Sequence, residues 1–232
     1  MNPAPWRSAA ALVFVEDVAS PELSAEDAHH LSRVLRLRPG SELCLSDGVG
    51  SVRSAELGDR GTLAGLGDVQ GAPPTTDGVT VGVVPPKGER LEWLVGRLCE
   101  LGVDRISLLE SERSVVRWDE ARWGRAEERL RRVVRSASAQ SRRPRWPELE
   151  RADLRSRLAA GVPVADLDGR PPDACDRELL VGPEGGWSEA ERALADAGGG
   201  RVQLAADVLR VETAAVAAAS ALALARLGAL RG

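Results

Sequence analysis

The most unusual chemistry in the sequence lies near its C-terminal end, in Gly182-Pro183-Glu184-Gly185-Gly186-Trp187. Adjacent glycines admit positive φ and bring peptide groups up to a ligand without Cβ interference, while Pro183 fixes the turn ahead of them. Such a loop can cradle something flat. Its glycine spacing is not that of a dinucleotide fold, it lacks the GKS or GKT of a phosphate loop, and Glu184 would repel a phosphate. Further on, Arg210 and Glu212 stand where a long run of Ala, Leu and Val begins. A helix of that composition must be buried, and burying either charge unpaired costs on the order of several kcal/mol. They need partners, either each other or a ligand. The loop, likewise, reads equally well as an ordinary tight turn. Neither stretch holds a His or Lys: the two histidines, His29 and His30, lie far upstream, and Lys87 is the single lysine. Cys44, Cys99 and Cys175 are odd in number and widely spaced, so neither a disulfide framework nor a metal knuckle is expected.

These residues need elements to position them. Glu178 to Val181 reads as a buried strand feeding the glycine loop, and Ser188-Glu189-Ala190-Glu191 as a capping box opening a helix to Ala197. Strand Arg201 to Leu204 leads into the second loop, and helix Glu212 to Leu227 leaves it. Upstream the rhythm is the same: strand Val79 to Val84, helix Glu89 to Leu101, strand Arg105 to Leu109, a helix from about Asp119 to Gln140, and strand Val162 to Leu167. Alternating strand and helix units predict a mostly parallel sheet covered by helices, with ligands beyond the carboxyl ends of the strands. In the long helix Trp123, Ala126, Leu130, Val133 and Ala137 form an apolar stripe, which leaves Arg122, Arg125, Arg129, Arg132 and Arg135 facing outward. The stretch Gly71 to Gly78 has linker composition and divides the chain into domains 1–73 and 78–232. Before it, Ser24 caps a helix reaching Leu35, and strands Leu43 to Leu45, Val49 to Leu57 and Thr62 to Val69 suggest a small antiparallel barrel or sheet.

Bulk properties narrow the classes. With 232 residues, 43% of them hydrophobic, the chain can bury a real core. No apolar stretch reaches the roughly 18 residues of a spanning helix, and the N-terminus has no convincing cleavage pattern, so a cytoplasmic location without membrane attachment is expected. The net charge of −4 argues weakly against nucleic acid, but Arg113 to Arg157 contains 14 arginines against seven Asp or Glu. A basic stripe runs through an acidic chain.

Five ordered motifs carry a family resemblance. They are His29-His30-Leu31-Ser32-Arg33-Val34-Leu35-Arg36-Leu37 with Pro39-Gly40; Pro86-Lys87-Gly88 before Glu100-Leu101-Gly102-Val103; Ser111-Glu112-Arg113-Ser114; Leu180 to Gly186; and Leu209-Arg210-Val211-Glu212-Thr213-Ala214. The chain resembles, nearly end to end, the RsmE family of 16S ribosomal RNA uridine-N3 methyltransferases in the SPOUT superfamily. That resemblance implies an α/β fold class: an N-terminal PUA-like RNA-binding barrel, then a SPOUT domain with a parallel sheet, helices on both faces and a trefoil knot. It also implies a homodimer and S-adenosylmethionine as cofactor, held by Leu180, Val181, Gly182, Pro183, Glu184, Gly185, Gly186, Leu204, Ala205, Leu209 and Thr213. Arg210 and Glu212 are the implied catalytic pair. Contacts to rRNA or the 30S particle fall to Arg33, Arg36, Arg113, Gln140, Arg142 and Arg143, since with no Tyr, one Phe and six Trp the chain lacks an RRM-like stacking platform. Departures occur at Ala139-Gln140-Ser141-Arg142-Arg143, where a carboxylate and a glycine of the family pattern are lost, at Val211 in place of Thr, and at Arg97 in place of Lys. A catalytically silent RNA-binding or assembly protein, or a methyltransferase for another RNA, are the competing readings.

Overall fold

The computed structural model describes residues 4–72, 77–88 and 90–229. Linker residues 73–76 and Glu89, the expected start of a helix, lie outside the described residues. The chain divides into two compact units, one formed by the N-terminal stretch together with Arg135–Trp146, the other by the remainder.

In the first unit, helix α1 (Pro5–Ser8) precedes strand β1 (Ala11–Phe14), and α2 (Ala25–His29) is capped by the Ser24 hydroxyl, which accepts from the Asp27 N–H at 3.0 Å. The helix expected to reach Leu35 instead widens into a π turn over His30–Val34. Strands β2 (Glu42–Ser46), β3 (Ser51–Leu57), β4 (Leu63–Ala64) and β5 (Val69–Gly71) complete a sheet ordered β1-β2-β3-β4, with β5 also on β3. One strand was expected over Thr62 to Val69; Gly65, at φ +54°, breaks it in two. The pairing β1–β2 is parallel and the others antiparallel. Alternation sends Ala11, Val13, Leu43, Leu45, Ala55 and Leu57 to one core and Leu12, Phe14, Cys44 and Val52 to another.

The second of these cores explains why Arg135–Trp146, expected in the C-terminal domain 78–232, belongs with the first unit. Trp146 lies against Phe14 with ring centroids 5.0 Å apart, and its backbone N–H donates to the Gly48 carbonyl at 2.8 Å. Arg142, in left-handed backbone, donates to the Ala10 carbonyl at 2.6 Å and also to that of Ala9. The burial of an indole and the satisfaction of strand-entry carbonyls outweigh sequence proximity.

The second unit holds β6 (Thr80–Val83), α3 (Arg90–Glu100), β7 (Arg105–Leu109), α4 (Glu120–Gln140, its last six residues assigned to the first unit), β8 (Glu148–Ala152), α5 (Leu154–Ala159), β9 (Val164–Arg170), β10 (Glu178–Val181), α6 (Glu189–Ala197), β11 (Arg201–Val202) and α7 (Val211–Arg226). Its six strands are all parallel, in the order β11-β9-β10-β6-β7-β8. The chain therefore builds outward from β6 to β8, crosses to β9, and inserts β10 between β9 and β6. Val81, Val83, Ile106, Leu179 and Leu180 are buried, as near-continuous apolar strands covered on both faces require. Helix α7 buries Ala215, Ala218, Ala219, Leu222 and Ala225. Strand β8 and helix α5 had no sequence-based expectation, because Glu148-Leu149-Glu150-Arg151-Ala152 has the polarity of a sheet edge.

Candidate functional site

Strand β10 ends at Val181 and delivers the glycine loop at the carboxyl edge of the sheet. Trp187, 3% exposed, anchors the loop from beneath: its indole N–H donates to the Ala165 carbonyl at 3.0 Å. The indole sits so close to Gly182 that a Cβ there would fall 2.9 Å from the ring, so only glycine fits. Gly186, at φ +67°, closes the turn by donating to the Pro183 carbonyl at 2.9 Å. Ser188 then caps α6 in a reciprocal box with Glu191. The loop is also gripped from outside. Arg113 donates through Nη1 to the carbonyls of Gly185, at 2.9 Å, and Trp187, at 3.2 Å, while the Glu112 N–H donates to buried Glu191 Oε1 at 2.8 Å.

Beside this loop opens a cavity of about 250 Å³ walled by Ala165 to Leu167 on β9, the glycine loop, Arg192 on α6, the loop between β11 and α7, and the first turn of α7. Of the residues expected to hold a cofactor, Val181, Gly182, Pro183, Glu184, Gly186, Leu204, Ala205 and Leu209 line it. Leu180, Gly185 and Thr213 do not. Leu180 is wholly buried in the core, Thr213 is exposed on α7, and the Gly185 carbonyl is committed to Arg113. Sequence reasoning missed Asp166 and Arg192, which face each other across the cavity wall with Nε 3.1 Å from Oδ2. A carboxylate interrupting an apolar strand run was the available signal.

Arg210 is the N-cap of α7, exposed and without an ion pair among the described residues, between the cavity-lining residues Leu209 and Val211. Glu212 does not pair with it. The Glu212 carboxylate turns to α3, where Arg90 Nη1 lies 3.7 Å away, and it lies outside the cavity lining. The two residues read as a catalytic pair are thus separated. Among the expected RNA contacts, Arg33, Arg36 and Gln140 are exposed and Arg143 is half-buried. The guanidiniums of Arg113 and Arg142 are spent on backbone carbonyls inside their own units, which removes them as simple phosphate contacts. No cluster of His, Cys, Asp or Glu suited to a metal occurs among the described residues. The Cys44 thiol, pushed up to about 11 by burial, is no nucleophile at neutral pH.

An RNA methyltransferase domain model matches residues 73–167 and 172–223, and an RNA methyltransferase PUA domain model matches 23–63. The ribosomal RNA small subunit methyltransferase E of Mycobacterium bovis is 36% identical over 220 residues, spanning 86% of this chain and 84% of that protein. The chain belongs to the RsmE family of RNA methyltransferases. Solved structures of related methyltransferases agree. A probable rRNA methyltransferase from Porphyromonas gingivalis superposes with a TM-score of 0.77 at 30% identity, over 94% of this chain and 99% of that one. Ribosomal RNA small subunit methyltransferase E from Neisseria gonorrhoeae, solved bound to S-adenosyl methionine, gives 0.68 at 26% identity, over 91% and 96%. In this RsmE-family chain the cavity suits such a nucleoside: bare peptide groups at Gly182 and Gly186, apolar walls from Val181, Leu204, Leu209 and Ala214, and a buried Asp166 oxygen without a hydrogen bond from the described residues.

Proposed function

We propose that this chain transfers a methyl group from S-adenosylmethionine to N3 of a uridine in 16S rRNA, acting in the cytoplasm as a homodimer whose second unit carries a trefoil knot. When bound, S-adenosylmethionine supplies a methyl group on a positively charged sulfur. The chain's own task is the uridine, whose N3 is protonated at neutral pH and must give up its proton as the methyl arrives. One observation carries the assignment: Arg210 stands unpaired at the N-terminus of a 16-residue helix, between two cavity-lining residues. A cation there opposes the helix dipole, an arrangement that an arriving anion relieves. Arg210 and the first N–H groups of α7 together stabilise the negative charge that develops on the uracil ring, which is where electrostatic catalysis gains most. Glu212, held by Arg90, keeps α7 registered against α3, and the N3 proton leaves to bulk water.

Substrate RNA is bound by phosphate contacts. On the outer face of α4, Arg122 and Arg129 are balanced by Asp119 and Glu92, whereas Arg125 and Arg132 have no ion pair among the described residues. Arg125 lines a shallow groove of about 470 Å³ with Arg117 and Trp118. In the first unit, Arg33 lies within the π turn and Arg36 just after it, a distortion frequent at functional positions. The homodimer is supported by Trp93 on α3 and Leu224 on α7, large apolar side chains 53% and 45% exposed on helices that pack together.

Methyl transfer to small subunits from a strain lacking the modification, mapped by arrest of reverse transcription, tests the target. Arg210→Ala is expected to lower turnover at least 100-fold, about 2.7 kcal/mol of barrier, with cofactor affinity within a factor of three. Unchanged turnover removes Arg210 from the chemistry. Binding of S-adenosylmethionine with no transfer to any ribosomal RNA favours the silent RNA-binding reading.

A further inference from the structure

The Asp166 carboxylate is the one group in the cavity whose environment asks for something the protein does not supply. Its side chain is 9% exposed, and Oδ2 is shielded from solvent yet accepts no hydrogen bond from any of the described residues. Arg192 Nε lies 3.1 Å from that oxygen, close enough to balance its charge, but its N–H is not aimed at it. Around it the neighbouring groups are already committed: the Ala165 carbonyl accepts from the Trp187 indole, and Trp187 is buried against Gly182. A buried acceptor left unmade costs about 1–3 kcal/mol, so its retention on a cavity wall calls for a donor brought by the ligand.

We infer that Asp166 accepts hydrogen bonds from the ribose hydroxyls of the nucleoside that fills this cavity, with Arg192 as the positioning residue that holds the carboxylate in place. This rests on the S-adenosylmethionine reading above. Charge selects among the donors such a ligand offers. The α-ammonium group would have to compete with Arg192 for one carboxylate, placing two cations on a single anion. A vicinal diol is neutral, presents two O–H donors side by side, and matches the two oxygens of a carboxylate without disturbing the ion pair. The same pairing of an acidic side chain with ribose recurs at the strand ends of dinucleotide-binding sheets, where the physical demand is equal. The remaining walls, Val181, Leu204, Leu209 and Ala214, are apolar and suit the purine.

Calorimetry on the full chain tests this with S-adenosylhomocysteine and its 2′-deoxy and 3′-deoxy analogues as probes. The wild type should bind at least one deoxy analogue tenfold or more weaker than the parent. Asp166→Ala should bind the parent tenfold or more weaker and lose that discrimination. If Asp166→Ala is weakened but still rejects the deoxy analogues by the wild-type factor, the carboxylate does not read the ribose and the inference fails while the cofactor assignment stands. If wild type binds the deoxy analogues as well as the parent, the inference fails on the ligand side alone, with no variant needed. If neither S-adenosylhomocysteine nor S-adenosylmethionine binds folded wild type, the cofactor assignment fails and takes the inference with it. Asp166→Leu, which is close in size and carries no acceptor, serves should the alanine variant not fold, with the same expected loss of discrimination.

Discussion

Single residues decide how the glycine loop works, and not the ones that stand out in the sequence. Gly185 has no positive φ, and a Cβ there would meet only the Arg113 side chain at 3.7 Å. Gly185→Ala should therefore leave cofactor affinity and melting temperature nearly unchanged. Gly182 and Gly186 carry the demand. At Gly182 an added methyl meets a buried indole that cannot give way, an overpacking cost of about 1–3 kcal/mol. At Gly186 the left-handed backbone costs about 1–2 kcal/mol for any L side chain. Both alanine variants should melt lower in calorimetry and bind S-adenosylhomocysteine more weakly; equal behaviour of all three would contradict this reading. At the opposite end of β10, burial pushes the Glu178 carboxyl above the usual range, against the pull of Arg157 and Arg105. A raised folded-state value means the folded form prefers the protonated group, so stability from this site is present at low pH and is lost as pH rises through that value. Glu178→Gln should thus raise the melting temperature relative to wild type at pH 8, and the gap should close towards pH 4.

At the scale of elements, the turn Ser111–Ser114 and the glycine loop behave as one piece. Three hydrogen bonds join them, two from Arg113 and one from the Glu112 N–H to Glu191, and Glu191 is itself a capping residue of α6. Replacing Glu191 by Ala removes a cap and leaves the Glu112 N–H and the Ser188 N–H without their acceptor. A loss of about 1–2 kcal/mol in stability follows, with faster hydrogen exchange in both segments; exchange confined to α6 would show that the two are independent. The sequence made much of this legible and some of it not. Strong signals, such as the capping box at Ser188 and the apolar runs at Val79 to Val84 and Glu178 to Val181, gave elements near their observed places, because local hydrogen bonding and two-sided burial dictate them. Strand β8 escaped, since an edge strand of charged residues owes its form to a neighbour in space. So did the pairing of Glu212 with Arg90, because side chains 122 positions apart share no spacing rule. Asp166 left a trace in the strand pattern, a carboxylate in an apolar run, but its buried unpaired oxygen is a property of the cavity and was not legible.

For the whole molecule, the division into units does not follow the order of the chain. The linker composition at 71–78 suggests a boundary there, yet the first unit also contains Arg135–Trp146, delivered by the last turns of α4. That segment is built into its site. A Cβ on Gly48 would lie 2.4 Å from the Trp146 indole, and one on Gly50 2.0 Å from the Arg145 guanidinium, so the turn after β2 is shaped to receive both side chains. The Ser46 hydroxyl donates to the Pro144 carbonyl at 2.7 Å, Arg145 donates to the carbonyls of Val49 and Ala72, and Arg135 donates to that of Phe14. A fragment ending at the linker, residues 1–74, would contain the sequences of all five strands but expose Phe14, Cys44 and Val52 on one face and leave the carbonyls of Phe14, Val49 and Ala72 without these donors. A unit of that size has little stability to spare, because so small a core barely offsets chain entropy. The fragment should be largely unfolded by circular dichroism and by NMR dispersion. Joining residues 135–146 to its C-terminus through a flexible glycine–serine linker should restore a cooperative thermal transition, and Trp146→Ala in that joined form should abolish it. Cooperative folding of 1–74 alone would mean that the segment merely rests on the sheet and that the boundary legible in the sequence is also the physical one.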